Sequence, residues 1–163
     1  MKSNQVYASA ALAGALSGMR AMSSPALISQ LAKSGVLPVD SQLGFLAKSG
    51  TATSTAVLAA GEFIADKLPF IPKRTATGPM IARALSGGLA GAAISSGKKR
   101  SWQVGALLGI AGAIGAAYGA YHLRKRAGEK LHIPDTAVAV LEDLAVAGAG
   151  LLITSMLRSG EAQ

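Results

Sequence analysis

Glu62 and Asp66 stand four residues apart, so in a helix their carboxylates lie about 40° from each other on one face. Two carboxylates placed this way can hold a cation or pass a proton. Glu142 and Asp143 are neighbours, about 100° apart, and must serve two different faces. Arg20 is flanked by Gly18, Met19, Ala21 and Met22, and Arg83 lies in an equally apolar stretch. A charge at membrane depth is costly unless paired or hydrated, which makes Arg20 the natural partner of one or two of the acids. The sharper expectation is a polar site for an ion or small polar solute, formed by Arg20, Glu62, Asp66, Glu142 and Asp143. The plainer one is a set of salt bridges locking helices together, or acids held at headgroup level. Pro69 puts Glu62 and Asp66 near a helix end, which favours the plainer one there.

Other chemistry finds little support. His122 and His132 are ten residues apart, with no HExxH pattern and no cysteine in the chain. They read as solvated or interfacial side chains, and no metal site is assigned. An all-carboxylate site would favour a hard divalent cation, the one cofactor the acids bring to mind; none is otherwise expected. There is no GxxxxGK[ST] phosphate loop and no GxSxG elbow, so no residue is assigned to catalysis.

The composition says what solvent these residues meet. Of 163 residues, half are hydrophobic but only 4% aromatic; 33 are Ala and 20 are Gly. Ala buries little surface, and burial contributes roughly 25 cal/mol per Å², so a water-soluble core built this way is weakly stabilised. In a bilayer, helices associate by close backbone approach, which small residues allow. So apolar a chain is not disordered, and the missing cysteine excludes a disulfide scaffold. The net charge of +8 is clustered at 73–74, 98–100 and 124–130, between apolar segments. No aromatics interleave those clusters for stacking on bases, so nucleic acid is not expected as a partner.

The uncharged runs are 3–19, 50–61, 84–97, 101–123 and 144–157. Only 101–123 meets the roughly 20 residues that a spanning helix needs. Helical segments are expected over 6–22, 25–32, 51–68, 79–96, 101–123 and 135–157, with Ser24 as N-cap and Pro25 at the first position of the second. That second segment is too short to span and reads as re-entrant or interfacial. Residues 38–50 read as a loop with a short amphipathic turn. Lys2 before an apolar run resembles the start of a signal peptide, but Arg20 follows without a mature start.

Nothing alternates with period two, so the fold class expected is all-α: a polytopic membrane bundle of about four to six segments, some short or broken, with Gly/Ala-rich packing faces. Gly14 and Gly18 line one helix face, Gly87 and Gly91 another, and Gly105, Gly109, Gly112 and Gly119 a third. These read as helix-packing positions inside the molecule, with a homo-oligomer seam as the second use. A single membrane domain over 1–163 is expected, with a weak internal echo between 1–72 and 73–163. It pairs Thr55-Ala56-Val57 and its acids with Thr136-Ala137-Val138 and its acids. Seven Lys/Arg in the 67–74 and 124–130 loops against three at 98–100 place the first two loops in the cytoplasm by the positive-inside rule.

Four motifs in order carry a family resemblance: Gly18-Met19-Arg20 with Pro25; Gly61-Glu62 with Ala65-Asp66-Lys67-Leu68-Pro69; the Gly/Ala run ending His122-Leu123-Arg124; and Pro134 with Leu141-Glu142-Asp143. Together they resemble a family of small multi-pass bacterial membrane proteins classed as a domain of unknown function. The resemblance implies a bacterial inner-membrane protein with the lipid bilayer as its partner and those charges as its signature. It brings no activity or ligand. The function expected is a small transporter or channel for an ion or small polar solute, using those carboxylates and Arg20. The alternative is a non-catalytic membrane scaffold or assembly subunit, and the third is a membrane-embedded enzyme acting on a lipid headgroup.

Overall fold

A computed structural model describes residues 1–65, 77–131 and 135–159. Six α-helices and one 3-10 helix make up the described chain, with no strand among the described residues. They are α1 (Ser3–Met19), α2 (Ser23–Lys33), the 3-10 helix η1 (Ser41–Ala47), α3 (Ser49–Ala65), α4 (Thr77–Gly97), α5 (Trp102–Leu131) and α6 (Asp135–Ser159).

Small residues decide how the centre is built. A Cβ at Gly14 or Gly87 would run into Gly109, one at Gly91 into Gly105, and one at Gly105 into Gly91 and Ser95. Three helices, α1, α4 and α5, therefore touch backbone to backbone, as small residues permit where bulky side chains do not. The order of these contacts fixes direction. Gly14 meets Gly109 and Gly18 meets Ala113, so α1 and α5 run parallel; Gly87 meets Gly109 and Gly91 meets Gly105, so α4 runs against both. Larger side chains, Ile28, Leu37, Leu46, Ile94, Ile153 and Leu157, fill the space that α2, η1 and α6 add around this centre.

The remaining hydrogen bonds orient the outer helices. Ser9 of α1 faces Met156 of α6, and Arg20 faces Asp143, so these two helices are antiparallel. Gln30 of α2 donates to the Ala52 carbonyl of α3 at 3.2 Å, while Met22 reaches Glu62, so this pair is antiparallel as well. Every α-helix thus runs between the same two ends of the bundle. Lys2, Lys98, Lys99, Arg100 and Arg158 gather at one end, and Arg20, Glu62, Arg124, Glu142 and Asp143 at the other.

Several boundaries differ from expectation, each for a local reason. α1 stops at Met19 rather than 22, because Arg20 is extended (φ −142°, ψ 117°). The N-cap of α2 is Met22, not Ser24; the Ser24 hydroxyl instead donates back to the Ala13 carbonyl of α1. α5 continues past Leu123 to Leu131, since 124–131 contain no proline and are rich in good helix formers. That removes Arg124, Lys125, Arg126 and Lys130 from the loop charges, so the loop comparison that oriented the chain loses four of its seven cations. Pro69, Pro72 and the 72/73 division of the internal echo lie outside the described residues.

By length and composition, 102–129 of α5 and 137–159 of α6 can each cross a membrane, two helices among the described residues against the four to six segments expected. α1 and α3 have 17 residues each, about 25 Å of helix against the roughly 30 Å of a hydrocarbon core.

Candidate functional site

The charged layer is assembled where α1 turns into α2. Extended backbone at Arg20 ends the first helix and points the next two amide groups away from any helical acceptor. The N–H groups of Ala21 and Met22 donate to Glu62 Oε1 and Oε2 at 2.8 and 2.9 Å. One carboxylate from α3 therefore satisfies both amides of the turn, and it sits at the start of α2, where the helix dipole favours negative charge.

Arg20 itself is buried. Its Nε donates to Asp143 Oδ1 at 3.0 Å and its Nη2 bonds the same oxygen, so α1 is tied to α6 by a charge-assisted pair. The adjacent residue of α6 faces another helix, as neighbours about 100° apart must. Arg124 of α5 donates to Glu142 in fork geometry, Nε to Oε1 at 2.9 Å and Nη2 to Oε2 at 2.8 Å. The Glu142 side chain is only 6% exposed, so this pair is drawn from solvent at both carboxylate oxygens. Two consecutive residues of α6 thus clasp two different helices.

Arg83 is also buried, on α4 one turn before Gly87. Asp66, expected on the face of Glu62, lies outside the described residues, as does His132. His122 is exposed and stacks edge-on against Tyr121, with ring centroids 5.3 Å apart. Among the described residues, no three His, Cys, Asp or Glu side chains come together in a group that could hold a metal ion.

A cavity of about 350 Å³ adjoins the layer, lined by Met19, Gly119, Leu123, Leu141 and Glu142 among others. Among the described residues, Glu142 is the one ionisable side chain in its wall. Gly119, expected to pack a helix, faces open space: nothing lies within 4 Å of a Cβ built there. The other packing glycines, Gly14, Gly18, Gly87, Gly91, Gly105, Gly109 and Gly112, each sit against a neighbouring helix. Gly112 meets Ala11 and Gly18 meets Ala113, which completes the α1–α5 seam.

Two contributors escaped the sequence: Arg124, read as a loop charge, and the backbone amides of Ala21 and Met22. The unbroken helical composition of 124–131 was the signal for the first. Nothing in the residue types announces the second, because it depends on the φ, ψ of Arg20.

Residues 7–156 match a family described as Domain of unknown function (DUF4126). No curated protein and no solved structure matches the chain.

Proposed function

We propose that this chain, which belongs to the DUF4126 family, is a non-catalytic membrane scaffold or assembly subunit, embedded in a bacterial inner membrane by several passes. One observation carries the proposal. Each described acid of the charged layer is already engaged with a partner on another element: Asp143 with Arg20, Glu142 with Arg124, and Glu62 with the amides of the α1–α2 turn. Carboxylates saturated in this way lock helices together. The centre of the bundle, where a transporter would hold its cargo, is closed by backbone contact between glycines.

Membrane embedding is supported by where the apolar side chains go. Only 28% of the 18-residue window in α5 and 22% of that in α6 is buried within the protein, whereas the core helix of a soluble fold is mostly buried, which supports lipid around them. Their outward residues include Leu107, Ile114, Leu144 and Leu151, all exposed. In water such a surface would be costly; facing lipid, it is at home.

A second function is favoured by a specific feature. Glu142 lines the 350 Å³ cavity beside Met19, so a cation or small polar solute entering there would compete with Arg124 for it. That is the transporter or channel.

Reconstitution separates the two. The wild-type chain and its Glu62→Gln, Glu142→Gln and Asp143→Asn variants are placed in proteoliposomes, and potassium and proton flux are followed beside thermal unfolding in detergent. The scaffold predicts no flux above empty vesicles and lower melting temperatures for the variants. Wild-type flux that Glu142→Gln abolishes, with its unfolding unchanged, would make it a transporter.

A further inference from the structure

At the end of the bundle away from the charged layer, a groove of about 410 Å³ runs along the outside of α4 and α5. Small residues Gly88 and Ala92 line it together with Leu85 and Ile110, and Ser96 and Trp102 stand at its end. Five residues separate Ser96 from Trp102, and three of them are Lys98, Lys99 and Arg100. The basic turn between the two helices is therefore held at the mouth of an apolar groove.

That turn is ordered by its backbone. The N–H groups of Lys98, Lys99 and Arg100 donate to the carbonyls of Ile94, Ser96 and Ser95 at 3.2, 2.8 and 2.8 Å. Lys99 has φ +53°, the one positive φ at a non-glycine residue among the described residues. Left-handed backbone costs an L-residue roughly 1–2 kcal/mol, and helix ends usually place glycine there. A lysine at this position keeps a charge where the backbone alone would favour Gly. Lys99 and Arg100 are both exposed. The turn joins the carboxyl end of α4 to the amino end of α5, so the two helix dipoles offset each other and the positive potential comes from the side chains. Among the described residues, the one acid in the groove wall is Asp40, whose carboxylate accepts the Ser96 hydroxyl. Three cations against one acid leave the mouth positive.

We propose that this groove and turn bind an anionic phospholipid, one acyl chain lying along α4 and α5 and the phosphate meeting Lys98, Lys99 and Arg100. The site rests on the membrane embedding proposed above. An apolar channel that opens at lipid level and ends in a cationic turn matches an anionic lipid in both halves of the molecule. A zwitterionic lipid would fit the groove without drawing on the charge. Trp102, half-exposed at the junction, is placed as interfacial tryptophans are.

Trp102 is the only tryptophan in the chain, so it reports on this site alone. The full chain is reconstituted in phosphatidylcholine vesicles containing rising fractions of phosphatidylglycerol with brominated acyl chains, which quench indole fluorescence on contact. A parallel series uses brominated phosphatidylcholine. The site predicts half-maximal quenching at a severalfold lower fraction of brominated phosphatidylglycerol than of phosphatidylcholine. Lys98→Gln, Lys99→Gln and Arg100→Gln should each cost up to about fivefold of that preference. Ala92→Phe, and independently Ala106→Leu, fill the groove while leaving the charges, and should bring the two lipids level. Equal quenching by both lipids in the wild type overturns the site. So does a preference that survives both groove-filling variants, since surface charge alone would then explain it. If the chain fails to float with the vesicles and no brominated lipid quenches Trp102, the membrane embedding itself has failed and the site falls with it.

Discussion

Arg20 and Asp143, 123 residues apart in sequence, are joined by a guanidinium–carboxylate pair that ties the end of α1 to the first third of α6. The Arg20 side chain is 4% exposed and that of Asp143 29%, so the cation is the more deeply committed partner. Removing the anion takes this carboxylate from a buried guanidinium, and breaking such a pair costs up to about 3–5 kcal/mol. Arg20→Gln should be milder, because Asp143 keeps some contact with the exterior. Thermal unfolding in detergent should rank Asp143→Asn below Arg20→Gln, with wild type above both.

Glu62 does a different task. It accepts two backbone N–H groups rather than a side chain, so a glutamine can replace one acceptor but not both. Glu62→Gln should cost about 1–2 kcal/mol and Glu62→Ala about 2–3 kcal/mol, by the loss of charge-assisted bonds to the turn. Hydrogen exchange at Ala21 and Met22 should quicken in both variants while exchange in the α4–α5 seam stays slow. Equal protection at Ala21 and Met22 in Glu62→Ala would show that the carboxylate does not hold the turn.

The two kinds of glycine in α5 should respond oppositely to alanine. A Cβ at Gly109 runs into the Gly87 backbone, whereas at Gly119 it meets open space. Gly109→Ala should therefore destabilise by at least 1–3 kcal/mol, roughly the cost of overpacking. Gly119→Ala should stabilise by roughly 0.5–1 kcal/mol through helix propensity. Melting temperatures of the two purified variants decide it, and a matched fall in both would contradict the placement of Gly119.

Membrane embedding is checked by fractionation of the expressed chain. It should stay in the pellet through an alkaline carbonate wash and leave it only with detergent. Release by carbonate would mean that the outward leucines of α5 and α6 face something other than lipid.

Much of this was legible in the sequence. The six helical segments, the short second helix, the turn within 38–50 and the spacing of most packing glycines follow from apolar runs, prolines and small-residue periodicity. That Arg20 must find an acid also follows, because its neighbours offer nothing to pair with. Which acid it finds does not follow, since the choice between Asp143 and its neighbour depends on the rotation of α6 against α1. Gly119 fits the same heptad-like spacing as Gly105, Gly109 and Gly112 but packs on no helix, because α1 ends at Met19 and leaves the cavity beside it. Periodicity shows which residues share a face; it does not show where the neighbouring helix stops. The outer limit of α5 was misjudged because a cluster of charge was read as a loop, although Arg124 stays helical and pairs with Glu142 of α6.

A double-mutant cycle on Arg20 and Asp143 tests the central claim most directly. Arg20→Gln, Asp143→Asn and the double variant are purified in the same detergent and unfolded by heat and denaturant. If the pair locks α1 to α6, the double variant should lose less stability than the two single losses added together, with a coupling of about 1–3 kcal/mol. Additive losses with no coupling, or single variants as stable as wild type, would contradict it and leave these charges to be explained by a cargo.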